Sequence, residues 1–210
     1  MLVAYGVVPS DIAAPGEIRP GLELLGEGDV GVVFEEVREP PGRDTEELVR
    51  FGRVIRRLGA DAAILPMRYG TVLASIDELR RLLAERREGW ERRLRELSGR
   101  VELVVHLTPA DLPEAPPAGG ATGTDYLMGR VHRARRVASL AEGLSSGLAP
   151  VARGVRLLPD RREVRVAVLI EQGEVDAALA AVEAWASVAD AGQVTVSGPW
   201  PPFSFAEEES

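Results

Sequence analysis

The chain has 210 residues, no cysteine, and a formal net charge of −8, with all 25 of its basic residues being arginine. The missing cysteine excludes disulfides, thiolate metal sites and cysteine nucleophiles, and the acidic balance argues against a general nucleic-acid binder. With 45% hydrophobic and 28% charged residues, no apolar run long enough to span a membrane and no signal peptide at its start, the chain is predicted to be a soluble intracellular globular protein.

The first half of the chain alternates apolar strands with two amphipathic helices. Strands are predicted over 2–9, 30–37, 62–65, 71–74 and 101–107, with a long Pro- and Gly-rich connection over 15–28. Asp44 or Thr45 begins a helix that Gly59 is expected to end. Its apolar positions are Leu48, Phe51, Ile55 and Leu58. Ser75 begins a second helix, and Glu78 three residues later completes a capping box.

The second half repeats this alternation after a stretch rich in proline and glycine. Thr122 or Thr124 begins a long helix. Its predicted buried side consists of Leu127, Val131, Ala134, Ala138, Ala141, Leu144 and Leu148. A hairpin over 151–158 and 164–170 follows, then a helix over 174–189 and a last strand over 193–197. The apolar stripe of that helix is Val175, Leu179, Val182 and Trp185.

This order predicts an α+β protein of two small domains. The first, 1–108, is expected to be a modified ferredoxin-like βαββαβ sandwich with an extra leading strand, and the second, 123–205, an αββαβ domain. A Pro/Gly-rich linker over 109–122 separates them, and 206–210 is an acidic tail. The strand over 101–107 could serve either sheet; we assign it to the first domain because the linker follows it.

The C-terminal segment 197–205 (SGPWPPFSF) combines three prolines with large aromatic rings in a chain that is only 5% aromatic. Proline fixes an extended path and removes backbone donors, so the segment cannot continue a helix or form a central strand. Trp200 and Phe203 on such a backbone are expected to pack either on the protein's own surface or on a partner.

Residues that could carry catalysis or bind a metal are scarce. His106 and His132 have no acidic or histidine neighbour at ligand spacing, and the chain has no Gly-x-Ser-x-Gly elbow. The run 119–124 (GGATGT) precedes a helix but lacks the lysine of a phosphate-binding loop. The sequence therefore predicts no enzyme, no cofactor and no metal site.

The turn 66–71 (PMRYGT) is more specific, because Pro and Gly bracket Met67, Arg68 and Tyr69 between two buried strands. These side chains either contact a ligand or partner, or pin the adjoining helix. Both readings stay open. Tyr126 and Arg130, four residues apart on a predicted helix, form another candidate polar-aromatic surface.

Together these pieces resemble the gas vesicle protein F/L family (GvpF/GvpL). The matching segments, in the family's order over essentially the whole chain, are 5–9 (YGVVP), 65–72 (LPMRYGTV), 97–103 (LSGRVEL), 123–127 (GTDYL) and 196–205 (VSGPWPPFSF). Of these, the turn and the terminal Gly-Pro-Trp-Pro-Pro run are the most specific.

The resemblance implies a non-enzymatic accessory or minor structural protein of gas vesicles, located in the cytoplasm and at the vesicle. Its implied partners are the hydrophobic shell protein and other gas vesicle accessory proteins, with no nucleic acid and no membrane span. The candidate partner-binding residues are Met67, Arg68, Tyr69, Tyr126, Arg130, Trp200 and Phe203. The alternative is a small-molecule-binding regulatory protein, because ferredoxin-like sandwiches often bind ligands at sheet edges.

Overall fold

The chain divides into two compact units, each built around one sheet. The computed structural model describes residues 1–12, 15–42, 44–109, 123–159 and 163–206, and of residues 61, 123–126 and 130 it describes the backbone alone. The first unit comprises Met1–Arg100 together with the C-terminal segment from Trp200, and the second comprises Val101–Pro199. Both contain helices and an antiparallel sheet, which confirms the predicted α+β class.

The first unit has a sheet of order β2-β3-β1-β4, with β5 also paired to β1. Its described elements are β1 (Leu2–Pro9), α1 (Pro15–Ile18), β2 (Leu22–Glu27), β3 (Val30–Glu36), α2 (Thr45–Asp61), β4 (Leu65–Pro66), β5 (Val72–Leu73) and α3 (Ile76–Leu97). The C-terminal segment adds a 3₁₀ turn at Phe203–Phe205. The strands predicted at 2–9 and 30–37 and the two long helices are confirmed.

The stretch 15–28, predicted to be a connection, instead contains α1 and β2. β2 pairs antiparallel with β3 from Leu22 opposite Glu35 to Glu27 opposite Val30, and Gly28, at a φ of 64°, lies in the turn between them. Only Leu22 is fully buried in this strand. Leu22 and Leu24 of this strand pack in the core of the first unit, which is the alternation of a half-buried strand.

The two long helices cover opposite faces of the first sheet. β1 is buried from Leu2 to Val8, as expected for a strand covered on both sides. On one face α2 packs Phe51, Ile55 and Leu58 against the sheet, and α3 packs against β1 and β3. Leu48, predicted to join the apolar side of α2, is exposed instead.

Gly59, predicted to end α2, lies inside it, and the helix continues to Asp61. Its missing side chain serves packing, because an ideal Cβ on Gly59 would lie 2.8 Å from Cγ of Pro201 and 3.0 Å from Cγ2 of Ile64. Gly59 therefore makes room for the ring of Pro201 in the C-terminal segment, and it does not form a left-handed C-cap.

The second unit has a sheet of order β7-β8-β6-β9. Its described elements are β6 (Arg100–Thr108), α4 (Gly123–Leu148), β7 (Ala152–Leu158), β8 (Val164–Glu171), α5 (Val175–Val188) and β9 (Gln193–Trp200), with a 3₁₀ turn at Gln172–Glu174. The assignment of strand 101–107 to the first domain is wrong. Alternate residues of β6 complete the core beneath α4 and α5: Leu103, Val105 and Leu107. Of the predicted linker 109–122, all but Pro109 lies outside the described residues.

The helices α4 and α5 approach closely because small residues face a large ring. Ideal Cβ atoms on Gly143 and Gly147 would lie 3.3 and 3.2 Å from the indole of Trp185. Leu179, predicted to lie on the buried side of α5, is exposed, and Ala178 and Val182 fill that position in the core. None of the helices in the described ranges is both long and apolar enough to cross a membrane.

Candidate functional site

The turn after β4 is held at the edge of the first sheet. The strands β4 and β5 both pair with β1, so the segment joining them closes over a short span. The Met67 N–H donates to the Tyr5 carbonyl at 2.9 Å, and the Thr71 N–H and hydroxyl both donate to the Arg68 carbonyl. Gly70, at a φ of 82°, completes the turn. The Arg68 side chain is exposed and Met67 is half-buried.

Tyr69 packs back onto the start of α2. Its ring meets Phe51 edge-on at a centroid distance of 5.3 Å, and Phe51 stacks on Tyr5 at 5.0 Å. The Tyr69 hydroxyl donates to the Gly42 carbonyl at 2.7 Å and lies 3.2 Å from a carboxylate oxygen of Glu47. These contacts match the second sequence-based reading, in which the turn pins the adjoining helix. Partner contact through Tyr69 stays a prediction.

These aromatic residues line a cleft of about 410 Å³ with an acidic wall. Its lining includes the aromatic Tyr5, Phe51 and Tyr69, the acidic Glu35, Glu39 and Glu47, and one basic residue, Arg50, which also lines a neighbouring cleft. Partial burial, followed by the hydrogen bond to Glu47, raises the pKa of Tyr69. At the inner end, the Tyr5 hydroxyl donates to Glu35 at 2.9 Å and accepts from Arg19 at 3.0 Å, while Arg19 also pairs with Glu35. Aromatic faces beside carboxylates suit a cationic group.

The C-terminal segment folds onto the first unit. Trp200 ends β9, an edge strand, and is half-buried, while Pro201 and Pro202 are buried. Phe205 is also buried, and its carbonyl accepts hydrogen bonds from Nε of Arg93, at 2.8 Å, and from a second nitrogen of the same guanidinium. Phe203 is 43% exposed. The segment thus packs on the protein's own surface and presents one aromatic ring outward.

The N-terminal half of α4 carries apolar side chains that the sequence predicts to be buried, and this prediction is wrong. Leu127 is 60% exposed and Val131 42%; Met128, which the predicted buried side did not include, is 52% exposed. Helix length explains the difference: α4 has 26 residues and is about 39 Å long, whereas a strand of 8 residues such as β8 spans about 26 Å. The side chains of Tyr126 and Arg130, on the same part of the helix, lie outside the described residues.

A hydrogen-bonded relay that the sequence does not reveal lies on the second sheet. Nδ1 of His106 lies 3.0 Å from a carboxylate oxygen of Glu163, and Nε2 lies 3.1 Å from Oγ of Ser197. This is the order of groups in a serine–histidine–acid relay, and here it joins β6, β9 and the residue just before β8. The spacing of residues around His106 does not reveal this acidic neighbour, because Glu163 is 57 residues away in the chain. Within the described ranges no cluster of three or more metal-binding side chains occurs.

The fold and these surfaces define a mixed α+β protein with two antiparallel sheets and exposed apolar and aromatic side chains outside its cores. The family model described as "Gas vesicle synthesis protein GvpL/GvpF" matches residues 2–207. The chain belongs to the GvpL/GvpF family.

Relatives and solved structures agree with this assignment. Gas vesicle protein F of Streptomyces sp. (strain CB03234) is 28% identical over 223 residues, which cover 95% of this chain and 94% of the relative. Gas vesicle protein L of the same strain is 30% identical over 178 residues, covering 73% and 66%. The crystal structure of GvpF from Microcystis aeruginosa matches with a TM-score of 0.76 at 14% identity, covering 99% of both chains. That of GvpF from Anabaena sp. PCC7120 matches with a TM-score of 0.77 at 16% identity, covering 100% and 97%. The structural matches show the shared fold.

Proposed function

We propose that this protein is a non-enzymatic accessory or minor structural protein of gas vesicles, which binds the hydrophobic shell protein and assists vesicle nucleation and assembly in the cytoplasm. Family membership supports a role at the gas vesicle. The observation that carries the binding role is the exposed apolar side of α4. The residues proposed to contact partners are Met67, Arg68, Tyr69, Tyr126, Arg130, Trp200 and Phe203.

The exposed side of α4 has the geometry of a docking face. We define the α4 stripe as Leu127, Val131, Ala134 and Ala138, which follow one another at spacings of four, three and four residues. Side chains at these spacings share one face of a helix, and each of the four is exposed. A contiguous apolar face on a helix is a common docking surface for an apolar partner segment.

A physical need for such a surface follows from the nature of a gas-filled protein shell. A subunit whose assembled lattice turns an apolar face toward gas would aggregate in water before assembly. An acidic protein with an apolar helix face can cover part of that surface and release it to a growing edge. The net charge of −8 keeps such a complex dispersed.

The second unit has the strand order of a known fold. We infer that Val101–Pro199 is a ferredoxin-like unit. Its element order is βαββαβ and its first strand, β6, lies between the third and the fourth, β8 and β9. The first unit has a related strand order, with the short α1 where the second unit has the long α4.

The test compares two pairs of exposed apolar residues on different helices. Leu127→Ser/Val131→Ser removes the centre of the α4 stripe, and Leu48→Ser/Val49→Ser is the matched control on α2, where both residues are also exposed. Both variants should stay folded, because surface substitutions change stability by about 0.5 kcal/mol or less. We expect the stripe variant to lose about 2 kcal/mol or more of binding to the shell protein, or about 30-fold in affinity, and the control to bind normally.

Co-purification with the shell protein and vesicle formation in a strain lacking the native gene and its paralogues are the two readouts. Equal binding by the stripe variant, the control and the parent protein would remove the α4 stripe from the proposal. Normal vesicle formation in the deletion strain without any copy of the gene would overturn the assembly role itself.

The cleft beside Tyr69 favours a second candidate function, a small-molecule-binding regulatory protein. Its volume of about 410 Å³ falls within the range of about 300–1,000 Å³ typical of ligand pockets. A metabolite that raises the melting temperature of the parent protein, but not of Tyr69→Ala, would favour this candidate.

A further inference from the structure

A second surface of the first unit has the opposite character from the acidic cleft. Arginine side chains from α2 and from the residue after α1 surround a cleft of about 540 Å³ whose remaining lining is apolar. The arginines are Arg19, Arg50, Arg53, Arg56 and Arg57. The apolar residues are Ile18, Val54 and Ala60. We call this the arginine cleft.

The positive charge of the arginine cleft is largely uncompensated locally. Arg19 is engaged with Glu35 and Tyr5. The other four arginines are exposed, and among the described residues none of Arg53, Arg56 and Arg57 forms an ion pair. In a chain with a net charge of −8, such a concentration of one sign creates a local field that attracts anions.

The spacing of the arginines selects a linear ligand. Arg50, Arg53 and Arg57 occupy successive turns of α2, so their attachment points span seven residues and a rise of about 10 Å. A ligand that carries several negative charges along this length can meet all three without drawing the side chains together. The helix is a rigid base for this array, because Phe51 and Leu58 on its other side are buried in the core.

We propose that the arginine cleft binds a carboxylate-rich amphipathic helix of a partner protein. Glutamate or aspartate side chains every three to four residues along such a helix match the arginine spacing, and guanidinium groups fork onto carboxylates. Apolar side chains between the carboxylates pack on Val54 and Ile18 at the floor of the cleft. This site goes beyond the proposed function, because it differs from the α4 stripe in position and in the chemistry of its partner.

The test measures binding of a fluorescent 18-residue amphipathic peptide with glutamates at helical spacing, together with the same peptide carrying glutamine instead. Arg53→Glu/Arg57→Glu reverses two charges of the cleft. Arg81→Glu/Arg86→Glu on α3 is the matched control, with the same change in net charge at two exposed positions. We expect the first variant to weaken binding of the glutamate peptide about tenfold or more and the control to weaken it less than about threefold.

Two further arms make the result decisive. Arg53→Gln/Arg57→Gln should give an intermediate loss, and inorganic tripolyphosphate should compete only weakly, since it has no apolar side chains to pack on Ile18, Val54 and Ala60. Circular dichroism and melting temperature check that each variant is folded. Equal weakening by the cleft and control variants would overturn the proposal, because only net charge would then matter. Undiminished binding of the glutamine peptide, or tighter binding of tripolyphosphate than of the glutamate peptide, would overturn it as well.

Discussion

Two glycines of α2 provide a direct test of how the C-terminal segment packs. Gly52 and Gly59 lie seven residues apart on the same helix, but their surroundings differ. A Cβ on Gly52 would meet no atom within 4 Å, whereas one on Gly59 would lie 2.8 Å from Cγ of Pro201 and 3.0 Å from Cγ2 of Ile64. Replacing each glycine by alanine therefore applies one chemical change in an open and in a filled site.

The two substitutions are expected to change the free energy of unfolding in different ways. Alanine is favoured over glycine inside a helix by about 0.8–1 kcal/mol, so Gly52→Ala should raise the free energy of unfolding by about that amount. Gly59→Ala has the same gain, but the added methyl displaces the ring of Pro201, and overpacking costs about 1–3 kcal/mol. Its net effect should lie between zero and about 2 kcal/mol of destabilisation, so the two variants should differ by about 1–3 kcal/mol.

Urea unfolding of the full chain, followed by circular dichroism, measures both variants. Adding Pro201→Ala to each separates the contribution of the proline ring, because removing Cγ of Pro201 should restore part of the gain of Gly59→Ala and leave that of Gly52→Ala unchanged, while the contact with Ile64 remains. If Gly59→Ala stabilises the protein as much as Gly52→Ala does, the C-terminal segment does not pack on α2 and the reasoning is wrong.

Three further predictions concern other parts of the protein. Burial, followed by the hydrogen bond to Glu35, raises the pKa of Tyr5, so the fold favours the protonated phenol; stability should fall as pH rises above about 10, where the unfolded chain loses this proton. Melting temperatures between pH 8 and 11 should fall less for Tyr5→Phe than for the parent protein. Arg93→Met should cost about 1.5–3 kcal/mol in urea unfolding, because it removes the hydrogen bonds to the Phe205 carbonyl; an unchanged midpoint would contradict this docking. A fluorophosphonate probe should leave Ser197 unlabelled, and labelling that disappears in Ser197→Ala would refute the non-enzymatic proposal.

Features set by a few neighbouring residues could be predicted from the sequence. The capping box at Ser75 is an example: the Glu78 N–H donates to the Ser75 hydroxyl at 3.3 Å, and the Glu78 carboxylate accepts from the Ala74 N–H at 2.6 Å. Asp44 likewise accepts from the Glu47 N–H at the start of α2. Such helix starts are fixed within four residues, so the sequence window contains the whole interaction.

Features that depend on distant partners could not be predicted in this way. The role of Gly59 depends on Pro201, more than a hundred residues later, and the environment of His106 depends on Ser197, which is 91 residues away. The strand 101–107 has the apolar pattern of a buried strand in either sheet. Only its pairing beside β8 and β9 settles which sheet it joins.

The α4 helix shows why the candidate site could be predicted only in part. Its apolar residues keep one helical spacing from Leu127 to Leu148, and the sequence therefore predicts a single buried face. In the structure Leu144 and Leu148 are buried in the core of the second unit, while Leu127 and Val131 are exposed. Periodicity measures the tendency of a helix face to leave water, but it does not say which surface covers that face. An apolar helix face that continues past the core of the second unit therefore points to a partner that covers it. That inference depends on the exposed Leu127 and Val131.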